Sequence, residues 1–152
     1  LEAVHRAGAD HLLDPSDKDL AAKVKALTDG KGVDVVYDPV GGELAITATR
    51  AIAWNGRYLI VGFASGTIPS FPANHIMIKT YSVIGVRAGE GPRRDPELAK
   101  RQTAALRELA QKGVMRPHIS HRFSLADAAQ ALAVLERREA IGRVVVAMET
   151  SS

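Results

Sequence analysis

Two glycine-bearing segments hold the residue types best suited to chemistry: Asp38-Pro39-Val40-Gly41-Gly42 and Gly62-Phe63-Ala64-Ser65-Gly66. Glycine lets a ligand approach the backbone, and amides exposed where a helix starts favour anionic or carbonyl oxygens. Glycines after a strand also serve turning alone, so the segments read equally as ligand contacts or as turns. Asp38 precedes a proline and so favours a turn or capping role over a catalytic one. Ser65 falls one residue too late for the Gly-x-Ser-x-Gly elbow of hydrolases. Gly30-Lys31-Gly32 lacks both the upstream glycine spacing and the following Ser or Thr of a phosphate-binding P-loop. His118 and His121, beside Pro117, read as surface or partly packed side chains rather than metal ligands. His5, His11 and His75 have no obvious partners. Arg143 either reaches a phosphate or merely flanks a surface strand, and Trp54 packs at a helix end. No residue stands out as a general acid, so no catalytic residue and no metal ligand is assigned.

The elements that would position these loops follow from periodicity. Leu1, Val4 and Ala7 have helical spacing, with Gly8 as the stop, so the chain reads as starting inside a helix. Asp10 to Asp14 reads as a short strand closed by Pro15-Ser16-Asp17, and Ser16 with Asp19 resembles a capping box for a helix carrying Leu20, Val24 and Leu27. Val33 to Tyr37 is β-branched and nearly all apolar, as expected of a parallel strand covered on both faces. A helix over about 43–53, a turn at Asn55-Gly56 and a strand from Arg57 to Gly62 come next. Residues 64–75 read as a loop, and Ile76 to Val86 returns to strand. A long helix from Pro96 to Lys112 carries Leu98, Ala105, Leu106 and Leu109 on one face. Ser124 with Asp127 caps a last helix with Ala128, Leu132 and Leu135, and Gly142 leads into a strand over Arg143 to Met148. This alternation predicts an α/β fold: a partial doubly wound, Rossmann-like parallel sheet with a C-terminal helix-strand tail. Such sheets bind ligands at the carboxyl ends of their strands, which is where both glycine segments fall.

Composition narrows the class. The chain has 152 residues, 46% apolar and 24% charged, with no cysteine. That length buries a real core without disulfides or a structural metal, and the missing thiols exclude a Cys-based zinc site. The cytoplasm is the expected location. No apolar run approaches the roughly 20 residues that span a bilayer. Lys and Arg outnumber Asp and Glu by only 20 to 17, in scattered positions, so no nucleic-acid or membrane partner is expected.

Several stretches together resemble one family. Gly8-Ala9-Asp10-His11, the run Gly32 to Gly42, the run Gly56 to Gly66, Ile78 to Val86, Pro117 to Ala128 and Gly142-Arg143-Val144-Val145 match it in order over nearly the whole chain. It is the medium-chain dehydrogenase/reductase superfamily, in its zinc-independent quinone oxidoreductase branch related to zeta-crystallin. The resemblance implies that Val40, Gly41, Gly42, Phe63, Ala64 and Ser65 lie on the nicotinamide side of an NADPH site, with Val86 and Arg87 also approaching it. It implies hydride transfer from NADPH to a quinone or another enone, with no metal. An enoyl reductase of the same superfamily and a non-catalytic interaction module are the alternatives. By the same resemblance, residues 1–115 are part of a dinucleotide-binding domain and residues 116–152 a tail that packs on a catalytic domain. In the strand order 3-2-1-4-5-6 the chain supplies strands 3, 4, 5 and 6, without the phosphate loop that follows strand 1. The chain therefore reads as the last half of such an enzyme, inactive by itself, and homodimeric through the edge strand Tyr81–Val86.

Overall fold

The computed structural model describes residues 2–148. It divides into two compact units between Gly91 and Pro92.

The first unit runs α1 (Glu2–Arg6), α2 (Leu20–Ala26), β1 (Val33–Asp38), α3 (Gly42–Ala51), β2 (Ile52–Ile60), α4 (Ala73–Lys79) and β3 (Ser82–Gly85). Its three strands form one parallel sheet in the order β1-β2-β3. Ala45, Ile52, Tyr58 and Tyr81 form the buried core, and Val36, Ala48, Ile60, Phe71, Ile76 and Val83 pack around it. Phe71 meets the Tyr58 ring edge-on, with centroids 4.9 Å apart. Strand, helix and parallel strand alternate as the sequence predicts, and the fold is α/β with the Rossmann-like arrangement.

Several local expectations change. Residues 10–14 form no strand. In the strand order above, that segment borders neither β1 nor β2, and a strand with no neighbour has nothing to hydrogen-bond. Ser16 does not cap α2. Its amide and hydroxyl both bond Asp14 Oδ1, at 2.8 and 2.6 Å, and the Asp19 amide bonds Asp17 Oδ1 at 2.8 Å, so two consecutive Asx turns lead into the helix. Residues Ile76 to Lys79, read as strand, are the end of α4. Their β-branched residues are compatible with helix where Ile76 packs onto the core. Val35 and Tyr37, expected to be covered, are 40% and 66% exposed: they share one face of β1, opposite the face that carries half-buried Val36 and buried Asp38.

The Asn55-Gly56 turn sits inside β2 rather than before it. Val33 pairs with Ile52 and Val35 with Arg57, so two steps along β1 answer five along β2. The excess is a bulge in which Asn55 takes a left-handed φ of 60°.

The second unit contains α6 (Pro96–Gln111), β4 (Ile119–Ser124), a 3-10 turn (Leu125–Asp127), α7 (Ala128–Glu136) and β5 (Arg143–Ala147), with α5 (Glu90–Arg94) at the division. β4 and β5 pair in parallel. β4 is not legible in the sequence, because its polar residues Ser120, His121 and exposed Arg122 break up any apolar run. Asp95 caps α6 through Oδ1, which accepts from the Glu97 and Leu98 amides at 3.0 Å each, with Pro96 at the first helical position. No residue of α6 is buried.

Candidate functional site

The carboxyl ends of β1 and β2 continue into the two glycine segments, and the backbone ties them together. The Val61 and Gly62 amides donate to Asp38 O at 2.9 and 3.3 Å, Ala64 donates to Pro39 O at 3.0 Å, and Ser65 to Val40 O at 3.0 Å. In the other direction the Gly42 amide, opening α3, donates to Thr67 O at 3.0 Å. The Ser65 hydroxyl accepts from the Thr67 amide at 3.2 Å, closing the second loop on itself. The two loops form one clasp.

Asp38 organises the first loop from below. Its Oδ1 accepts from the Val40 and Gly41 amides at 2.8 and 2.9 Å, and its Oδ2 accepts from the Tyr58 hydroxyl at 2.6 Å. Asp38 is 6% exposed and Tyr58 0%, so this carboxylate is turned inward, as the turn reading of Asp-Pro expected. Burial, reinforced by the hydrogen bond to Asp38, pushes the Tyr58 hydroxyl far above the usual phenol range. This pairing is not legible in the sequence, since it joins two strands that only the fold brings side by side.

The glycines serve the clasp before any ligand. Gly41 has φ 72° and ψ −151°, a backbone region nearly closed to other residues. A Cβ on it would lie 3.0 Å from Thr67 O and 3.1 Å from the Phe63 ring, and one on Gly42 would lie 3.0 Å from the Ser65 hydroxyl. The amides of Val40, Gly41 and Gly42 are all bonded inside the protein. The expectation of open amides at this helix start is therefore corrected at those three positions: Asp38 and Thr67 already occupy them. What faces outward is Phe63, 41% exposed, with Ala64 and Ser65 beside it and Val40 half-buried. Val86 joins the same strand ends through its amide, which donates to Ile60 O at 2.8 Å. Arg87 follows, its side chain 81% exposed and 3.9 Å from Glu90.

Comparison with known proteins gives this architecture a family. The sequence profile of the zinc-binding dehydrogenases matches residues 7–146. The chain belongs to the zinc-binding dehydrogenase family. It is 35% identical over 147 residues to the quinone oxidoreductase-like protein 2 homolog of Nematostella vectensis, covering 96% of this chain and 40% of that protein. It is 29% identical to an NAD-dependent alcohol dehydrogenase of Saccharolobus solfataricus, covering 96% of the chain and 40% of the relative. A mycobacterial structure complexed with NADPH superposes with a TM-score of 0.82 at 28% identity, over 94% of this chain and 45% of that one. The chain thus spans about 40% of the length of the curated relatives it matches.

Zinc, present in the family's description, does not fit the donor set here. The sequence has no cysteine, and among the described residues no three His, Asp or Glu side chains cluster. His121 instead stacks on Phe123 with centroids 6.1 Å apart, and its Nδ1 lies 2.9 Å from the Ser120 hydroxyl. The exposed Phe63, Ala64 and Ser65 do fit one end of a dinucleotide, with an apolar wall for a flat ring and a hydroxyl at its rim. The Val40, Gly41 and Gly42 amides, bonded to Asp38 and Thr67, are not offered to a pyrophosphate.

Proposed function

We propose that this chain is the nicotinamide-side portion of an NADPH-dependent oxidoreductase that reduces a quinone or another electron-poor enone. The clasp carries this reading: two loops locked together at the carboxyl ends of parallel strands, presenting Phe63, Ala64 and Ser65 outward. The NADPH-bound mycobacterial neighbour and the quinone oxidoreductase-like relatives support the coenzyme and the substrate class.

NADPH, when bound, supplies the hydride. The chain's own residues bind and orient: Phe63 and Val40 give the ring an apolar face, Ser65 offers a hydroxyl, and the clasp holds them in fixed relation. Asp38 is spent on the loop amides and Tyr58, so it donates no proton to substrate. Arg87 supplies positive charge at the same strand ends. The relatives also include NAD-dependent dehydrogenases, so NADH is the natural competitor in a test.

The portion reading predicts that these 152 residues bind NADPH more weakly than micromolar, because the three amides that open α3, those of Val40, Gly41 and Gly42, are already bonded within the protein. Calorimetry with NADPH and NADH checks this, and a micromolar or tighter constant overturns it. In a protein of the relatives' length carrying this sequence, Phe63→Ala is expected to raise KM for NADPH about tenfold, the loss of one buried aromatic contact. An unchanged KM removes the clasp from the coenzyme site.

A further inference from the structure

At the amino end of the sheet, away from the clasp, three helices end around one cavity of about 320 Å³ lined by Lys25, Thr49, Arg50, His75, Ile78 and Lys79. From this convergence of last-turn cations we propose a second site, one that binds a small oxyanion of the phosphate class.

Each cation sits in the last turn of its own helix: Lys25 in α2, Arg50 in α3 and Lys79 in α4. A cation at that position ordinarily does no more than offset the negative end of the helix dipole. Here the amounts do not cancel. Each helix end contributes at most about half a negative charge, so three full cations leave a surplus of more than one positive charge in one cavity. No carboxylate lines it, and among the described residues none of the three is ion-paired with one.

The donors divide by role. The Lys79 ammonium is committed to the carboxyl end of α3, donating to Thr49 O at 3.1 Å, Arg50 O at 2.7 Å and Ile52 O at 3.0 Å. It therefore supplies charge and fixes the wall rather than grasping a ligand. Burial, together with the nearby Lys25 charge, pushes its ammonium below the usual lysine range, as expected of a cation in a positive field. Arg50 and Lys25 have donors to spare. His75 adds a ring nitrogen, with its Nδ1 3.4 Å from the Thr49 hydroxyl. That hydroxyl donates to Ile46 O at 2.7 Å, so toward Nδ1 it can only accept, and the contact orients the imidazole at the cavity wall. Ile78, 62% exposed, gives the rim one apolar edge. Two cationic side chains with donors to spare and one fixed ammonium are partners that a tetrahedral oxyanion takes.

The test is a backbone NMR titration of the whole chain with sodium phosphate, with glycerol 3-phosphate, and with sodium chloride at matched ionic strength. Saturable shifts centred on Arg50, His75 and Ile78 are expected for the phosphates and not for chloride. Arg50→Gln and Lys25→Gln should each weaken binding about tenfold, the loss of one charge-assisted hydrogen bond, and Arg50→Lys should recover part of it. Lys79 is left in place because it holds the end of α3. Tighter binding of the phosphomonoester identifies a phosphorylated small molecule using the Ile78 edge, and tighter binding of phosphate identifies the free anion. Shifts that chloride reproduces, or affinity unchanged in both glutamine variants, overturn the proposal.

Discussion

A single carboxylate, Asp38, sets the clasp, and Tyr58 is the only side chain that reaches its second oxygen among the described residues. Tyr58→Phe keeps the ring against Phe71 and removes the hydroxyl, leaving a buried oxygen with only the longer Gly41 amide contact of 3.2 Å. A loss of about 1–3 kcal/mol is expected in urea denaturation at pH 7. A loss below about 0.5 kcal/mol would mean the pair contributes nothing beyond ordinary packing. Its pH dependence has a definite sign. The native state holds the Tyr58 phenol protonated while the unfolded chain ionises near pH 10, so stability is intact below that pH and falls as pH rises above it. Tyr81, also raised by burial, acts in the same direction, and Lys79, lowered by burial, acts in the opposite one. The readout is therefore the difference between Tyr58→Phe and the parent: the variant loses less stability above pH 10. At this scale the sequence located the loops, because glycine and Asp-Pro after a strand announce a turn. It could not show that Tyr58 meets Asp38 or that the loop amides are already taken, since both depend on contacts between strands.

Elements with a strong internal period are legible in the sequence: β1, α3, α6, α7 and β5 all fall within a residue or two of their expected places. The others depend on neighbours. Residues 10–14 hold two apolar residues, Leu12 and Leu13, but no β-branched or aromatic one and no partner strand, whereas β4, with Ile119 and Phe123 among polar residues, is made a strand by pairing with β5. For α6 the boundaries were clear but the burial was not. Its apolar face, with Leu106 50% and Leu109 41% exposed, lies open. A helix without buried residues rests on its own propensity and caps. Asp95→Ala should cost about 1 kcal/mol locally and speed amide exchange in the first turns of α6 while leaving the three-stranded sheet protected. Uniform loss of protection across the chain would show that α6 is coupled to the sheet.

For the molecule as a whole, the sheet ends in two edge strands, β1 and β3, and β3 carries Ile84, 40% exposed. An unpaired edge of this kind invites a second copy. We propose pairing through Tyr81–Val86, for which sedimentation should show a dimer that Ile84→Lys disperses; a monomeric parent chain removes the proposal. Among the described residues no helix is long and apolar enough to cross a membrane. The bulge in β2 has a bearing on how this molecule tolerates change. The surplus of chain between Ile52 and Arg57 sits outside the ladder, and its exposed part is Trp54 and Asn55, while Ala53 and Gly56 stay packed, so a residue gained or lost at the exposed pair alters the length of the bulge and not the phase of the strand beyond it. The inward and outward sequence of Arg57 to Ile60 stays as it is. A change of length at Trp54 and Asn55 would therefore leave the clasp's aim as it is.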